Sequence, residues 1–80
     1  MPFIIQSIIL FKTRFTKENA IKWLKKNNYK YDIDEKDKTW RARQKEPSEF
    51  DIHSFKIHEV NDHLNFVIGR LKYKKIIYNV

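Results

Sequence analysis

The chain has 80 residues, a formal net charge of +7, no cysteine and a single glycine, which bounds it to one small domain held by apolar and aromatic packing. Neither a disulfide framework nor a thiolate zinc site is available, and one glycine excludes the glycine-rich loops that cradle phosphates. The positive balance predisposes the domain toward polyanions, although a Lys-, Asn- and Ile-rich composition also arises from an AT-rich genome.

Phe3 to Lys12 carries apolar residues on both alternating sets, Phe3, Ile5, Ile9 and Phe11 against Ile4, Ile8 and Leu10. Such a run is expected of a strand covered on both sides, hence a central one. It lacks the basic n-region and small-residue cleavage site of a signal peptide and is too short to cross a bilayer, so a soluble protein with no membrane partner is the simplest expectation, an amphipathic surface role being the unsupported alternative.

Phe15 to Tyr29 is the stretch around which the rest is organised. Thr16 suits an N-cap, Glu18 lies near the positive end of the helix dipole, and Phe15 can staple onto Ala20. Ala20, Ile21 and Leu24 share one helical face with Trp23 on its flank, while Lys22 and Lys26 point away. Glu18 precedes Lys22 by four residues as a supporting pair, and Asn27-Asn28 suits a left-handed exit. A helix this short is marginal alone, so a sheet must cover its stripe.

Tyr29 to Ile33 and Lys38 to Lys45 read as a hairpin around the polar turn Asp34-Glu35-Lys36-Asp37. In the second arm, alternation places Trp40, Ala42 and Gln44 on one face and Thr39, Arg41, Arg43 and Lys45 on the other. Pro47 interrupts the ladder, and Phe50 is expected to fold back as a loop anchor. Ser54 to Val60 and Leu64 to Leu71 form a second hairpin about Asn61-Asp62-His63, with Phe55 and Ile57 alternating against Lys56 and His58. Gly69 marks a bulge or a close backbone approach. Tyr73 to Val80 is either a last strand or a segment that pairs with another chain, the latter giving a homo-oligomer. No repeat or long linker argues for a second domain, so residues 1–80 are read as one.

The charge is unevenly spread. Lys12 to Lys30 holds one acid, Glu18, among many bases; Lys38 to Lys45 and Arg70 to Lys75 hold none; acids gather at Asp32 to Asp37 and Glu46 to Asp62. His53, His58 and His63 recur every five residues beside Asp51, Glu59 and Asp62, yet an odd spacing alternates strand faces and does not converge on a metal. No serine sits in an elbow or triad context, and the paired carboxylates fall in expected turns. The expectation is therefore a non-enzymatic protein without metal or cofactor. What remains is a sheet surface mixing cations and rings: Arg41, Arg43 and Lys45 on one strand, Arg70, Lys72 and Lys74 on another, and Tyr73 beside them. Phosphate neutralisation with base stacking is how such a surface holds nucleic acid. The competing readings place Trp40 and Tyr31 in the core and pair Arg41 and Arg43 with Glu46, Glu49 or Asp51.

The string Thr39-Trp40-Arg41-Ala42-Arg43-Gln44-x-x-Pro47-x-x-Phe50 follows a helix of the form Phe15-Thr16-x-x-x-Ala20-x-x-Trp23-Leu24-x-x-Asn27-x-Tyr29 and precedes Val67-x-Gly69. This arrangement resembles a small domain of tailed-phage and large DNA virus proteins over about Ile5 to Lys72. The chain departs from the pattern at Ala42, where phenylalanine is usual, and in having no glycine before the last hairpin. The resemblance implies a viral source, and so a location in the host cytoplasm, the nucleus or the virion, but no activity.

The fold expected is α+β, one helix packed on an antiparallel sheet in the order β-α-β-β-β-β with a further C-terminal strand as an option. The function expected is a viral accessory protein that binds DNA or RNA through its basic sheet surface. The competing class is a protein-interaction module, a virion component or an inhibitor of a host factor, whose basic face meets an acidic partner.

Overall fold

A computed structural model describes residues 2–72. Five strands and one helix succeed one another as β1 (Ile4–Phe11), α1 (Lys17–Lys26), β2 (Ile33–Glu35), β3 (Thr39–Arg43), β4 (Lys56–Asn61) and β5 (Leu64–Gly69), with short 3-10 turns at Pro47–Glu49 and Ile52–Ser54. The strands make one antiparallel sheet in the order β2-β3-β1-β5-β4. The α+β fold is thus present, with β1 at the centre. The segment Tyr73 to Val80 lies outside the described residues.

The helix forms where its local signals meet. Asn19 N–H donates to the Thr16 hydroxyl at 3.1 Å, closing the N-terminus. Asn28 takes a φ of 64°, and Tyr29 N–H reaches back to the Leu24 carbonyl at 2.9 Å, turning the chain toward the sheet. The expected Glu18–Lys22 pair is not formed: ion pairs among the described residues are Lys12–Glu35 and Arg43–Glu46. Ala20 and Leu24 are fully buried against Ile8, Leu10, Ala42 and Leu64, with Phe15, Trp23, Tyr29, Trp40 and Phe66 around them. Trp40 lies in this rim and donates its indole N–H to the Phe15 carbonyl at 3.0 Å, as a partly buried tryptophan requires.

Simple alternation fails in β1. A register shift between Ile5 and Ser7 on the β5 side leaves Gln6 as an extra residue, so Ile5 joins Ile8 and Leu10 on the helix face, while Ser7, Ile9 and Phe11 take the other. Gln6 is 1% exposed, and its buried side-chain polar atoms are hydrogen-bonded. Its carbonyl accepts from Gln44 N–H at 2.7 Å and Lys45 N–H at 3.2 Å, and its amide donates to the Lys45 carbonyl at 2.9 Å. These bonds end β3 at Arg43, short of the expected Lys45.

A second, smaller core lies on the helix-free face at the end of β5. Phe50 is fully buried and packs on Phe55, ring centroids 5.3 Å apart. Both lean on Gly69, where a Cβ would stand 2.9 Å from Phe55 Cδ1 and 3.0 Å from Phe50 Cδ2. The single glycine therefore serves a close approach. The loop is tied down by Asp51 N–H to the Arg70 carbonyl at 2.9 Å, Lys72 N–H to the Glu49 carbonyl at 2.8 Å and Arg70 N–H to the Ser54 hydroxyl at 2.8 Å.

Candidate nucleic-acid interface

Cross-strand neighbours share a face, so the register fixes where each cation of the sheet points. Arg41 and Arg43 pair with Ile9 and Ser7 on the helix-free face. Arg41 is half-buried and bends back over β1, donating from Nε to the Ser7 hydroxyl at 3.2 Å and from Nη2 to Gln6 Oε1 at 3.3 Å. Arg43 stands 3.5 Å from the Glu46 carboxylate, one of the acids expected to pair with it. Lys45 is exposed and, with Arg43 and Lys30, lines an open cleft of about 470 Å³ that also takes in Asp32, Asp34, Glu46 and Glu49. Three cations against four carboxylates give that cleft no positive excess.

The second basic row does not join the first. Arg70 follows Ile68 by two residues and so returns to the helix side of the sheet, where its guanidinium and the Lys56 ammonium lie 5.5 and 4.1 Å from the Phe3 ring centroid. Lys72 is exposed at the far end; Tyr73 and Lys74 lie outside the described residues. Arg41, Arg43 and Lys45 are neighbours, but Arg70 is not on their face.

Among the described residues the longest run of exposed, unpaired cations lies on the helix layer. Between Lys12 and Lys30 the sequence has seven bases and one acid. Lys12 is held at 2.6 Å by Glu35 and rests 4.7 Å above the Trp40 ring; its ammonium, by hydrogen bond and then by charge, keeps the Glu35 carboxyl below the usual carboxylate range, with a smaller pull from Lys17. The other six, Arg14, Lys17, Lys22, Lys25, Lys26 and Lys30, are exposed, and none is ion-paired among the described residues. The reason is the helical period: with Ala20 and Leu24 inward, Lys22, Lys25 and Lys26 fall together on the outer face. Lys25 and Lys26 also sit in the last turn, where the helix dipole favours cations.

Tyr31 stands beside this layer. It is 50% exposed rather than core, and Lys25 Nζ lies 4.6 Å from its ring centroid. Its backbone neighbour is clamped: Lys30 N–H donates to Gln44 Oε1 and Gln44 Nε2 donates to the Lys30 carbonyl, each at 2.9 Å. The charge run in the helix is visible in the sequence, but the strict alternation of the sheet rows is the stronger pattern and points to the other face. The histidines are dispersed, His53 in a 3-10 turn, His58 on β4 beside Phe66 and His63 in the last turn. Among the described residues no group of three His, Asp or Glu side chains is placed to hold a metal, and no helix is long and apolar enough to cross a membrane.

No protein-family model matches the chain, and comparison with curated proteins and with solved structures likewise finds no match.

Proposed function

We propose that this is a non-enzymatic nucleic-acid-binding protein whose phosphate contacts come chiefly from the helix layer. The observation that carries the reading is the set of five exposed cations, Arg14, Lys17, Lys22, Lys25 and Lys26, with no acidic partner among the described residues; Lys30, also exposed, shares the cleft carboxylates with Arg43 and Lys45. A cation already paired with a carboxylate must give up that partner to meet a phosphate, so free ones supply most of the affinity. Arg43 and Lys45, set among carboxylates, are secondary contacts in this reading, and Arg41 chiefly braces β1. The resemblance of the Ala20-x-x-Trp23-Leu24 helix and the Trp40 to Phe50 string to a phage and large DNA virus domain supports a viral accessory role in the host cell or the virion.

The test is affinity for labelled DNA and RNA across a salt series. If all five cations meet phosphates, log K should fall against log salt with a slope of about 3.5 on single strands and about 4.5 on duplex. Binding that is absent at physiological salt, or a slope near zero, sinks the reading.

A protein-interaction module is the second reading. It is favoured by the apolar residues that the β4 edge and its preceding loop leave in water, Ile52, Ile57 and Val60. It predicts an interface centred on those residues, with the helix cations facing acids of the partner.

A further inference from the structure

We propose that Tyr31 is a stacking platform for one base of a single-stranded nucleic acid, set at the end of the cationic helix layer by the Gln44 clamp. The inference rests on the nucleic-acid reading above and adds to it the form of the ligand and a contact that salt does not screen.

Three observations converge on this ring. Tyr31 keeps half of its surface open although it is a large aromatic side chain in a small domain short of core material. Its companion Tyr29 behaves in the ordinary way, packed on Trp23 at 5.8 Å and edge-on to Phe66 at 6.2 Å, so the exposure of Tyr31 is not a general property of the segment. Second, the backbone leading into Tyr31 is fixed by two anchors. Tyr29 is anchored in the core rim, and the Gln44 side chain binds both the N–H and the carbonyl of Lys30. A ring held this way loses little further freedom when a base settles on it. Third, the charge around the ring suits a strand running past it. Lys25 already lies over the ring, and Lys30 is exposed next to it in sequence with Asp32 on the other side, so a phosphate beside a stacked base would meet an ammonium group. Base on aromatic ring, flanked by cations tracking the backbone, is the arrangement that retains single strands irrespective of sequence. A duplex offers no exposed base face to the ring and gains only the phosphate contacts.

The test compares wild type, Tyr31→Leu and Tyr31→Phe on a fluorescent oligothymidylate, an oligouridylate and a blunt duplex, each of about 12 nucleotides. Leucine keeps apolar bulk and removes the ring; phenylalanine keeps the ring. Tyr31→Leu should weaken binding to both single strands by roughly 5- to 150-fold with the salt slope unchanged, leave the duplex within about twofold, and fold as wild type by circular dichroism. Tyr31→Phe should bind as wild type. Thymidylate and uridylate arms that differ show which nucleic acid the site takes, and either one weakened by the leucine change supports the platform. Single-strand binding that is steep in salt yet indifferent to Tyr31→Leu overturns the platform and leaves the nucleic-acid reading standing. Wild type that binds none of the three probes at physiological salt overturns both.

Discussion

Gly69 shows how tightly one residue can be specified. A methyl group there would press within 2.9 Å of Phe55 and 3.0 Å of Phe50, and Phe50 is fully buried with nowhere to retreat. Gly69→Ala should therefore destabilise the fold by about 1–3 kcal/mol, the range for overpacking a filled site. Urea denaturation checks it, and a loss under about 0.5 kcal/mol would mean that the two rings yield freely. That Gly69 marks a bulge or a close backbone approach was legible in the sequence, though what comes close is two phenyl side chains. Gln6 was not. Nothing in the pattern Ile4-Ile5-Gln6-Ser7-Ile8 announces that the polar pair is buried, because its partners, Gln44, Lys45 and Arg41, arrive from the other side of the helix in the chain. Glu35 adds a prediction in pH. Its carboxyl is held low by Lys12, so its folded pKa lies below its unfolded one, and the stability it contributes is present above the ordinary carboxylate pKa and lost as pH falls through the depressed value. Glu35→Gln should be less stable than wild type at neutral pH, and the two stabilities should converge as the pH drops below the usual carboxylate range. A difference that persists unchanged in acid would assign the effect to something other than charge.

At the scale of elements, α1 was the most legible part of the chain because its start, stripe and stop are all local: Thr16, Ala20 with Leu24, and Asn28 each do what their type and position indicate. Leu24 is fully buried between α1 and the sheet, and Leu24→Ala should cost about 2–5 kcal/mol, a large part of what a domain of this size holds. A loss near that of a surface substitution, about 0.5 kcal/mol, would contradict the helix as organiser. The sheet edges were less legible. The second strand starts at Ile33 and takes Asp34 and Glu35 into pairing with Arg41 and Trp40, although both acids read as turn. Tertiary contacts decide here, since Glu35 is fixed by Lys12 at the end of β1. Likewise, Phe55 leaves the strand to pack on Phe50, and β4 begins at Lys56 with Ile57 55% exposed. Local propensity carries no information about which edge remains uncovered.

For the whole molecule, charge is organised by layer rather than by row. Alternation along β3 correctly separates Arg41 and Arg43 from Trp40 and Ala42, but it says nothing about the acids that the loops bring to Arg43 and Lys45, nor that Arg70 emerges on the opposite side of the sheet. Those facts depend on the register between distant strands and on the path of the loop through Phe50. The helix cations needed only the helical period to be placed, and the sequence separates them from carboxylates simply because Glu18 is the one acid in that stretch.

The most direct measurement is therefore the salt slope of single-strand binding for two variants beside wild type. One replaces Lys22, Lys25 and Lys26 with glutamine, the other replaces Arg41 and Arg43 with glutamine. With each phosphate contact contributing about 0.7 to the slope on single strands, the helix variant should lose about 2 and the sheet variant little. If the helix variant keeps the wild-type slope while the sheet variant loses about 1.4, the phosphates are held by the sheet and the helix layer is not the interface.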